Sequence, residues 1–360
     1  MIRRLYIHNF RCLENFELRL SAQWSTLLIG NNGAGKTTVG LALEILQRIA
    51  RGTNRVGDLV NQKDLTRGRI DVPMRIEIEV ELNSKVYNYV LALELPDGFK
   101  ELRVFEEQLI FEGEPLYTRE IAQVRLIRAH REREVNFGID WHLIALPIVQ
   151  STTGPLYNFR EWLANTLIIR PVPSLIRGDS DSETLQPSAQ VTDLAAWFSG
   201  LVASAPAAYS KIESYLKEVM PDLLDLKNPS VGSGSRRLEL QFSNHQGVFT
   251  VPFADLSDGE KCFVIVALVI AANAYFGPLL CFWDEPDNYL APSEVGMTVM
   301  ALRRAFETRG HLIATSHNPE AIQRFSDENT LVLYRNSHLE PTIVRPVESF
   351  RASGELKGSL

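Results

Sequence analysis

Apolar positions along this chain change their period several times, and each change predicts an element. Ser25-Thr26-Leu27-Leu28-Ile29 is a short apolar run of strand length. The stretch from Thr38 to Ala50 places apolar residues three and four apart, which predicts an amphipathic helix. Between them lies a glycine-rich turn. Upstream, Leu5-Tyr6-Ile7 and the alternating Phe16-Glu17-Leu18-Arg19-Leu20 predict two strands framing a turn. Residues 51–73 are polar and read as loop. Downstream, Ile76, Ile78, Val80 and Leu82 alternate with Glu77, Glu79 and Glu81, a half-buried strand with an acidic outer face. Val86–Leu95, the turn Pro96-Asp97-Gly98 and Leu102–Glu112 continue as antiparallel hairpins, so a β-rich insertion follows the first helix.

From 119 to 170 the pattern predicts helix. Arg125, Arg128, Arg131 and Arg133 interleave with Glu132 and Glu134, read as a solvated helix face, with nucleic-acid contact as the alternative. Phe159–Leu167 predicts a helix and Leu167-Ile168-Ile169 a strand. Residues 171–190 read as a mobile acidic loop, and Val191–Val219 as one amphipathic helix. Leu238–Phe242 and Val248–Val251 predict a hairpin. A buried helix is expected over 263–276 and buried strands over 279–283 and 311–315. No internal repeat or sustained heptad appears, so no long coiled-coil arm is expected.

These elements predict an α/β fold: a mixed central sheet with helices on both sides, the insertion covering one edge. Four segments are expected. Residues 1–118 form an N-terminal lobe with the glycine loop and the hairpins. Residues 119–237 form a helical lobe, 238–345 the C-terminal part of the main fold, and 346–360 a tail.

The 360 residues suffice for one large domain or two ordinary ones. The composition, 45% hydrophobic and 22% charged, is that of a soluble globular protein. A net charge of −7 writes no general nucleic-acid affinity into the chain, though a local basic surface remains compatible with it. Cys12, Cys262 and Cys281 are too few and scattered for a disulfide framework or a zinc site, which fits a reducing cytoplasm. The first residues lack the apolar core of a signal peptide. The apolar run from Cys262 to Trp283 is long enough to span a bilayer, but Asn273 interrupts it and Gly277-Pro278 divides it. A buried helix followed by a buried strand explains it better.

Chemistry begins at Gly30-Asn31-Asn32-Gly33-Ala34-Gly35-Lys36-Thr37, which fits G-x-x-x-x-G-K-[ST] between a strand and a helix. Glycines let backbone wrap closely around phosphate oxygens, and the first helical N–H groups point at them. Lys36 brings a cation to the β- and γ-phosphates of ATP, and the Thr37 hydroxyl, followed by Thr38, ligates Mg²⁺. Later, Leu256-Ser257-Asp258-Gly259-Glu260-Lys261 precedes the apolar helix. Ser257 can cap it and Gly259 allows close backbone approach, so the helix start is a second anion site. The run Leu279-Leu280-Cys281-Phe282-Trp283-Asp284-Glu285-Pro286 delivers two carboxylates at the end of a buried strand. Asp284 would hold Mg²⁺ opposite Thr37, and Glu285 would activate the attacking water as general base. His317, after the strand His311–Thr315, would reach the γ-phosphate or that water.

The ordered set GNNGAGKT, LSDGEK, CFWDEP and ATSHNP resembles ABC-type ATPase heads of the RecF/SMC kind. It is most similar to the ATPase portion of the OLD ("overcoming lysogenization defect") family and its defence-associated relatives. Asn9-Phe10-Arg11 before the loop is similar too. The likeness runs from Met1 to about residue 340, in outline only over 51–250. It implies a homodimer, or a higher oligomer, with two heads sandwiching two ATPs. Ser257 and Gly259 of one subunit would then complete the partner's site, with Asp287-Asn288-Tyr289-Leu290 facing the partner and Arg11 near the nucleotide. Two features depart from the pattern. OLD nucleases carry a C-terminal Toprim domain, for which the residues after His317 are too few, so nuclease activity is not expected in this chain. The glutamine that senses Mg²⁺ has no assignment among Gln62, Gln123 and Gln150.

The expected function is an ATP-driven switch acting on a separate effector, in the first place a nuclease, in DNA-related or antiphage processes. A RecF-like DNA-repair clamp and a membrane-transporter ATPase subunit are the alternatives. The signature Ser-Asp-Gly-Glu-Lys, in place of Ser-Gly-Gly-Gln, weighs against the transporter, so no membrane partner is expected.

Overall fold

The computed structural model describes residues 1–20, 24–127, 135–149, 151–232, 234–245 and 247–353. In chain order the elements begin with β1 (Ile2–His8), β2 (Phe16–Arg19), β3 (Ser25–Ile29), α1 (Lys36–Ala50), β4 (Met74–Leu82), β5 (Lys85–Glu94) and β6 (Arg103–Phe111). Next are β7 (Glu114–Glu120), β8 (Gln123–Leu126), β9 (Val135–Gly138), α2 (Gly154–Ala164), β10 (Leu167–Ile169), β11 (Asp179–Ser180), α3 (Leu194–Ser204) and α4 (Ala207–Val219). Then follow β12 (Leu223–Lys227), β13 (Arg236–Arg237), β14 (Glu239–Asn244), β15 (Gly247–Pro252), α5 (Asp258–Phe276), β16 (Leu280–Trp283) and α6 (Pro292–Phe306). The chain closes with β17 (His311–Thr315), α7 (Pro319–Arg324), β18 (Thr330–Tyr334), β19 (Ile343–Pro346) and α8 (Val347–Ser353). It divides into two compact units: Met1–Gln23, Leu28–Thr166 and Thr330–Leu360 in the first, Trp24–Leu27 and Leu167–Asn329 in the second.

The first unit holds an eight-stranded antiparallel sheet in the order β2-β1-β4-β5-β6-β7-β8-β9. The alternation in β4 behaves as predicted. Ile76, Ile78 and Val80 are buried, and the outer carboxylates take arginines: Glu77 bonds Arg4 at 2.6 Å and Arg75 at 2.5 Å, Glu81 bonds Arg3 at 2.7 Å. The insertion therefore extends the sheet begun by β1 and β2, where an edge cover was expected. The helix expected from residue 119 is corrected as well, because 123–126 and 135–138 are strands. Val124 is buried while Gln123 and Arg125 are exposed, a period of two that the dense charge obscures in the sequence. Arg128, Arg131, Glu132, Arg133 and Glu134 lie outside the described residues. The expected lobe over 119–237 is thus helical only from α2 onward.

One buried charge organises this sheet. Glu107 on β6 is fully buried and accepts bonds from the Tyr89 hydroxyl (3.1 Å), the Tyr117 hydroxyl (2.8 Å) and the N–H groups of Ala145 (2.7 Å) and Leu146 (2.8 Å). The equally buried Arg119 lies 3.6 Å from it and donates to the carbonyls of Ile121, Leu143 and Asp140. With every oxygen satisfied, the buried charge is tolerated and fastens the segment after β9 onto the sheet. Elsewhere in the unit, Gln47 of α1 donates to the Thr166 carbonyl (2.5 Å) just past α2, and Arg51, which caps α1, donates to the carbonyl of Ala164 (2.8 Å) at the end of α2. β18 pairs antiparallel with β19, and the end of β3 stands beside β18.

In the second unit β10, β16 and β17 run parallel, in that order, continued by the first residues of β3. All four residues of β16 and all five of β17 are buried, which is why β16 and the middle of β17 read as apolar runs with no polar alternation. Helix α5 is long and apolar enough to cross a bilayer by composition, but Lys261 through Asn273 are buried within the protein, as a core helix. Asn273, the polar break in that run, has a structural task. Its Nδ2 donates to the carbonyls of Ala305 and Arg309, both at 2.8 Å, and its Oδ1 accepts from Leu279 N–H at 3.1 Å. It thereby ties the end of α5 to the start of β16 and the end of α6.

Two expectations change here. Residues 191–219 form two helices, since Pro206 lacks the N–H that a continuous helix would use. The 171–190 stretch is fastened, where a mobile loop was expected. β11 pairs with β13, Arg170 N–H reaches the Ala189 carbonyl at 2.7 Å, and Thr184 N–H reaches the Ala196 carbonyl at 3.1 Å.

His311 opens β17 with 2% exposure, and neither ring nitrogen has a hydrogen-bond partner among the described residues. Burial pushes its pKa down from 6.5 to about 3. The unfolded chain therefore takes up a proton below pH 6.5 that the folded chain refuses until about pH 3. The stability this residue carries is present above pH 6.5 and lost as pH falls. Between pH 7 and pH 5 its loss amounts to about 2 kcal/mol. Urea unfolding should show His311→Leu losing that much less stability over this interval than the parent; equal losses would contradict the reading.

Candidate functional site

The glycine loop of the first unit leaves β3 through three left-handed turns: Gly30 (φ 143°), Gly33 (φ 80°) and Gly35 (φ 102°). Two are also crowded. A Cβ on Gly30 would stand 2.0 Å from the Leu333 carbonyl oxygen. One on Gly35 would stand 3.0 Å from Cys12 Sγ and 3.1 Å from Thr342 Oγ1. Asn31, Asn32 and Gly33 are exposed, whereas Ala34 and Lys36 are buried. No side chain caps α1, whose N-cap is Gly35, so its first N–H groups are available to an anion. Lys36 Nζ donates to the Gly30 carbonyl at 2.7 Å and reaches the Asn31 carbonyl at 3.5 Å, which folds the cation back along its own loop. Thr37 is exposed, and the Thr38 hydroxyl lies 3.7 Å from Cys12 Sγ. These are the residues that the pattern G-x-x-x-x-G-K-[ST] singled out as a phosphate-binding loop.

Arg11 belongs to the same unit and has a left-handed backbone (φ 53°). Its N–H donates to the Asp64 carbonyl at 2.7 Å and its Nε to Asp64 Oδ1 at 3.0 Å, so a carboxylate already holds the guanidinium. Of the three candidate sensor glutamines, Gln62 starts a short 3-10 turn, Gln123 lies on β8, and Gln150 lies outside the described residues.

The second unit gathers the acidic strand end, the histidine and the capped helix. Asp284 follows β16, and its N–H donates to the Ile169 carbonyl at 2.9 Å. Thr315 at the end of β17 donates its hydroxyl to Asp284 Oδ1 at 2.6 Å and accepts from Glu285 N–H at 3.0 Å. One buried hydroxyl thus fixes both carboxylate-bearing residues. Glu285 has a left-handed backbone (φ 55°), which turns the chain sharply after the strand. Its carboxylate lies between Asn288 Nδ2, which donates to Oε2 at 2.6 Å, and His317 Nε2, 3.3 Å from Oε1. The ring predicted to meet a phosphate or water therefore also meets the candidate base.

Just beyond, Asp287 is buried, accepts from the Ser316 hydroxyl at 3.0 Å, and has its pKa raised by that burial. Tyr289 is left-handed (φ 70°) and 54% exposed. A Cβ on Gly259 would stand 3.0 Å from its carbonyl oxygen, so glycine lets the start of α5 approach this loop. The predicted cap forms: Ser257 Oγ accepts from Glu260 N–H at 3.3 Å, and Glu260 Oε2 accepts from Ser257 N–H at 2.8 Å. Lys261 is buried on the same helix and reaches the Pro173 carbonyl at 3.4 Å.

Among the described residues no three His, Cys, Asp or Glu side chains cluster as a metal site. The oxygen donors read from the sequence for a cation, the Asp284 carboxylate and the Thr37 hydroxyl, are of the hard kind that Mg²⁺ takes alongside water and substrate phosphates. Sequence reading named Thr315 only as a strand end and Asn288 only as part of the partner-facing loop, and gave Thr342 no role. Their only signal was position, directly before Ser316-His317, inside Asp284–Leu290, and far from the loop in the chain.

The family described as "AAA domain, putative AbiEii toxin, Type IV TA system" matches residues 25–323. An OLD nuclease of Thermus scotoductus is 46% identical over 46 residues, which is 13% of this chain and 8% of that protein. Among solved structures, an SMC head bound to the C-winged helix domain of ScpA is similar at TM-score 0.59 and 14% identity, covering 98% of this chain and 99% of that one. The SMC head domain of Thermotoga maritima gives 0.51 at 13%, covering 96% and 98%. An SMC head bound to the C-terminal domain of ScpA derived from Pyrococcus furiosus gives 0.55 at 12%, covering 99% of each chain. At such identities the likeness is one of fold, and the fold is that of an SMC-type ATPase head.

The crowding at Gly30 yields a direct test. Gly52 is also left-handed (φ 113°), but a Cβ there meets nothing within 4 Å. Gly52→Ala should cost about 1–2 kcal/mol, from backbone strain alone. Gly30→Ala should cost a further ~1–3 kcal/mol, because it also drives a methyl group into the Leu333 carbonyl. Denaturant midpoints measure both, and equal costs would show that Leu333 does not press on the loop.

Proposed function

Because this chain belongs to the AAA-domain family whose match spans residues 25–323, and has the fold of an SMC-type ATPase head, we propose that it binds and hydrolyses ATP with Mg²⁺. The observation that carries hydrolysis, beyond binding, is the Glu285 carboxylate held between Asn288 and His317. A carboxylate anchored through Oε2 by Asn288, with His317 against Oε1, is oriented as a general base. In this reading Asn31 through Thr38 wrap the phosphates with backbone N–H groups, and Lys36 brings its cation to the β- and γ-phosphates. Thr37 would offer Mg²⁺ a hydroxyl oxygen and Asp284 a carboxylate oxygen, and the ion would neutralise charge on the phosphate oxygens. Thr315 keeps one Asp284 oxygen turned inward by donating to it, leaving the other to the metal. Glu285 takes the proton of the attacking water. His317 supports Glu285 and faces the same phosphate, and Arg11 lies near the nucleotide.

The assembly belongs to the same proposal. Two copies close around two ATPs, with Ser257 and Gly259 of one completing the site of the other and Asp287–Leu290 meeting across the interface. Closure and opening switch a separate effector, for which a nuclease is the first candidate because the matched relative is named a nuclease. The acting compartment is the cytoplasm, consistent with three unpaired cysteines.

Lys36→Ala should weaken ATP binding, whereas Glu285→Gln should bind ATP and leave it uncleaved. Binding is read with a fluorescent ATP analogue and cleavage by phosphate release. Parental turnover by Glu285→Gln would remove Glu285 from the role of base.

The shared site has its own test. Ser257→Arg should abolish hydrolysis with near-parental ATP binding. Mixing it with Lys36→Ala should restore partial turnover, because one of the two composite sites in the mixed dimer is then whole. Inactive mixtures that demonstrably exchange subunits would favour a site contained within one chain.

A further inference from the structure

The connection between β18 and β19, Arg335–Thr342, lies over the glycine loop, and both units of that contact belong to the first compact unit. It is fastened at both ends. Leu333, just before it, presses its carbonyl against Gly30, where a Cβ would stand 2.0 Å away. Thr342, at its end, donates its hydroxyl to the Ala34 carbonyl at 2.9 Å and its N–H to the Cys12 carbonyl at 3.1 Å. In the middle, Arg67 donates to the Leu339 carbonyl. The connection therefore holds a fixed position over the loop.

Between these anchors it presents two basic side chains to Gly33. Arg335 Nη2 would stand 3.6 Å from a Cβ on Gly33, and His338 Nε2 4.0 Å. Gly33 has no side chain, so nothing of its own separates the guanidinium from the loop backbone. The surrounding arginines are committed to carboxylates: Arg11 to Asp64, Arg67 and Arg69 to Glu14, Arg75 to Glu77 and Glu106. Arg335 has no such partner among the described residues, and the nearby Glu340 accepts instead from Asn336 Nδ2 at 2.9 Å. A planar guanidinium pairs best with carboxylate or phosphate oxygens. The loop beneath it is built to bring phosphate oxygens within about 3 Å of its own N–H groups.

We infer that Arg335, with His338 beside it, is a nucleotide-contacting residue that grips the polyphosphate tail over Gly33. It supplies a cation distinct from Lys36, delivered by a connection that Thr342 locks to the loop. This rests on the ATP-binding reading above and extends it to a segment beyond the matched family region, which ends at residue 323.

The test titrates N-methylanthraniloyl-ATP and N-methylanthraniloyl-ADP into the parent, Arg335→Gln, Arg335→Lys and Lys36→Ala, at two salt concentrations. Arg335→Gln should bind both nucleotides about tenfold more weakly, with a shallower salt dependence, and Arg335→Lys should recover most of the loss. Melting temperatures of both Arg335 variants should match the parent, since Arg335 pairs with no carboxylate among the described residues. Arg335→Gln binding like the parent, while Lys36→Ala binds poorly, would overturn this inference and leave the ATP-binding reading standing. A loss in Arg335→Gln with the salt dependence unchanged would also overturn it, because the contact would then not be one of charge. A parent that binds neither nucleotide would overturn both.

Discussion

Phosphate binding by backbone requires a chain stripped of side chains at specific points, and much of the first unit follows from that. Gly30 lies against the Leu333 carbonyl where no Cβ fits, and Gly35 lies against Cys12 and Thr342. The loop is therefore held from outside by β18, by the connection to β19, and by the turn after β1. The sequence places β18 and its connection to β19 about three hundred residues from the loop. Packing brings them to one loop, and the left-handed glycines allow the approach. Rigidity of this kind matters because a preorganised cradle meets an anion without reordering.

The second unit solves a different problem: how to bring carboxylates to the end of a buried sheet without burying their charge. β16 and β17 are wholly buried, and the carboxylates and their polar partners begin at the C-terminal ends of these strands. Thr315 then satisfies Asp284 Oδ1 and Glu285 N–H together, and Asn288 and His317 satisfy Glu285. Asn273 performs a similar service deeper in the unit, closing the end of α5 onto β16. Each of these residues is a short polar side chain at a chain reversal, where it replaces hydrogen bonds that the regular elements cannot make.

The parts legible in the sequence were those with strong local signals. The glycine loop, the apolar runs of β3, β16 and β17, the alternation of β4 and the Ser257–Glu260 cap all depend on neighbours within a few positions. The strands at 123–126 and 135–138 were misread as helix because dense mixed charge hid the alternation around Val124. The break at Pro206 carried a local signal that the apolar pattern on both sides outweighed. The roles of Thr315, Asn288 and Thr342 were not legible, since each depends on a partner brought close only by the fold. Thr342 and Ala34 stand far apart in the chain yet share a 2.9 Å bond.

The central claim is that this chain hydrolyses ATP in a site completed by a second copy. The most direct measurement is phosphate release from ATP and Mg²⁺ by the unmodified protein across a wide range of protein concentration. The account predicts a turnover per chain that rises with concentration and then levels off, and that vanishes when Mg²⁺ is chelated. Turnover per chain that is constant down to the lowest concentration would contradict the shared site, and no phosphate release at any concentration would contradict the ATPase itself.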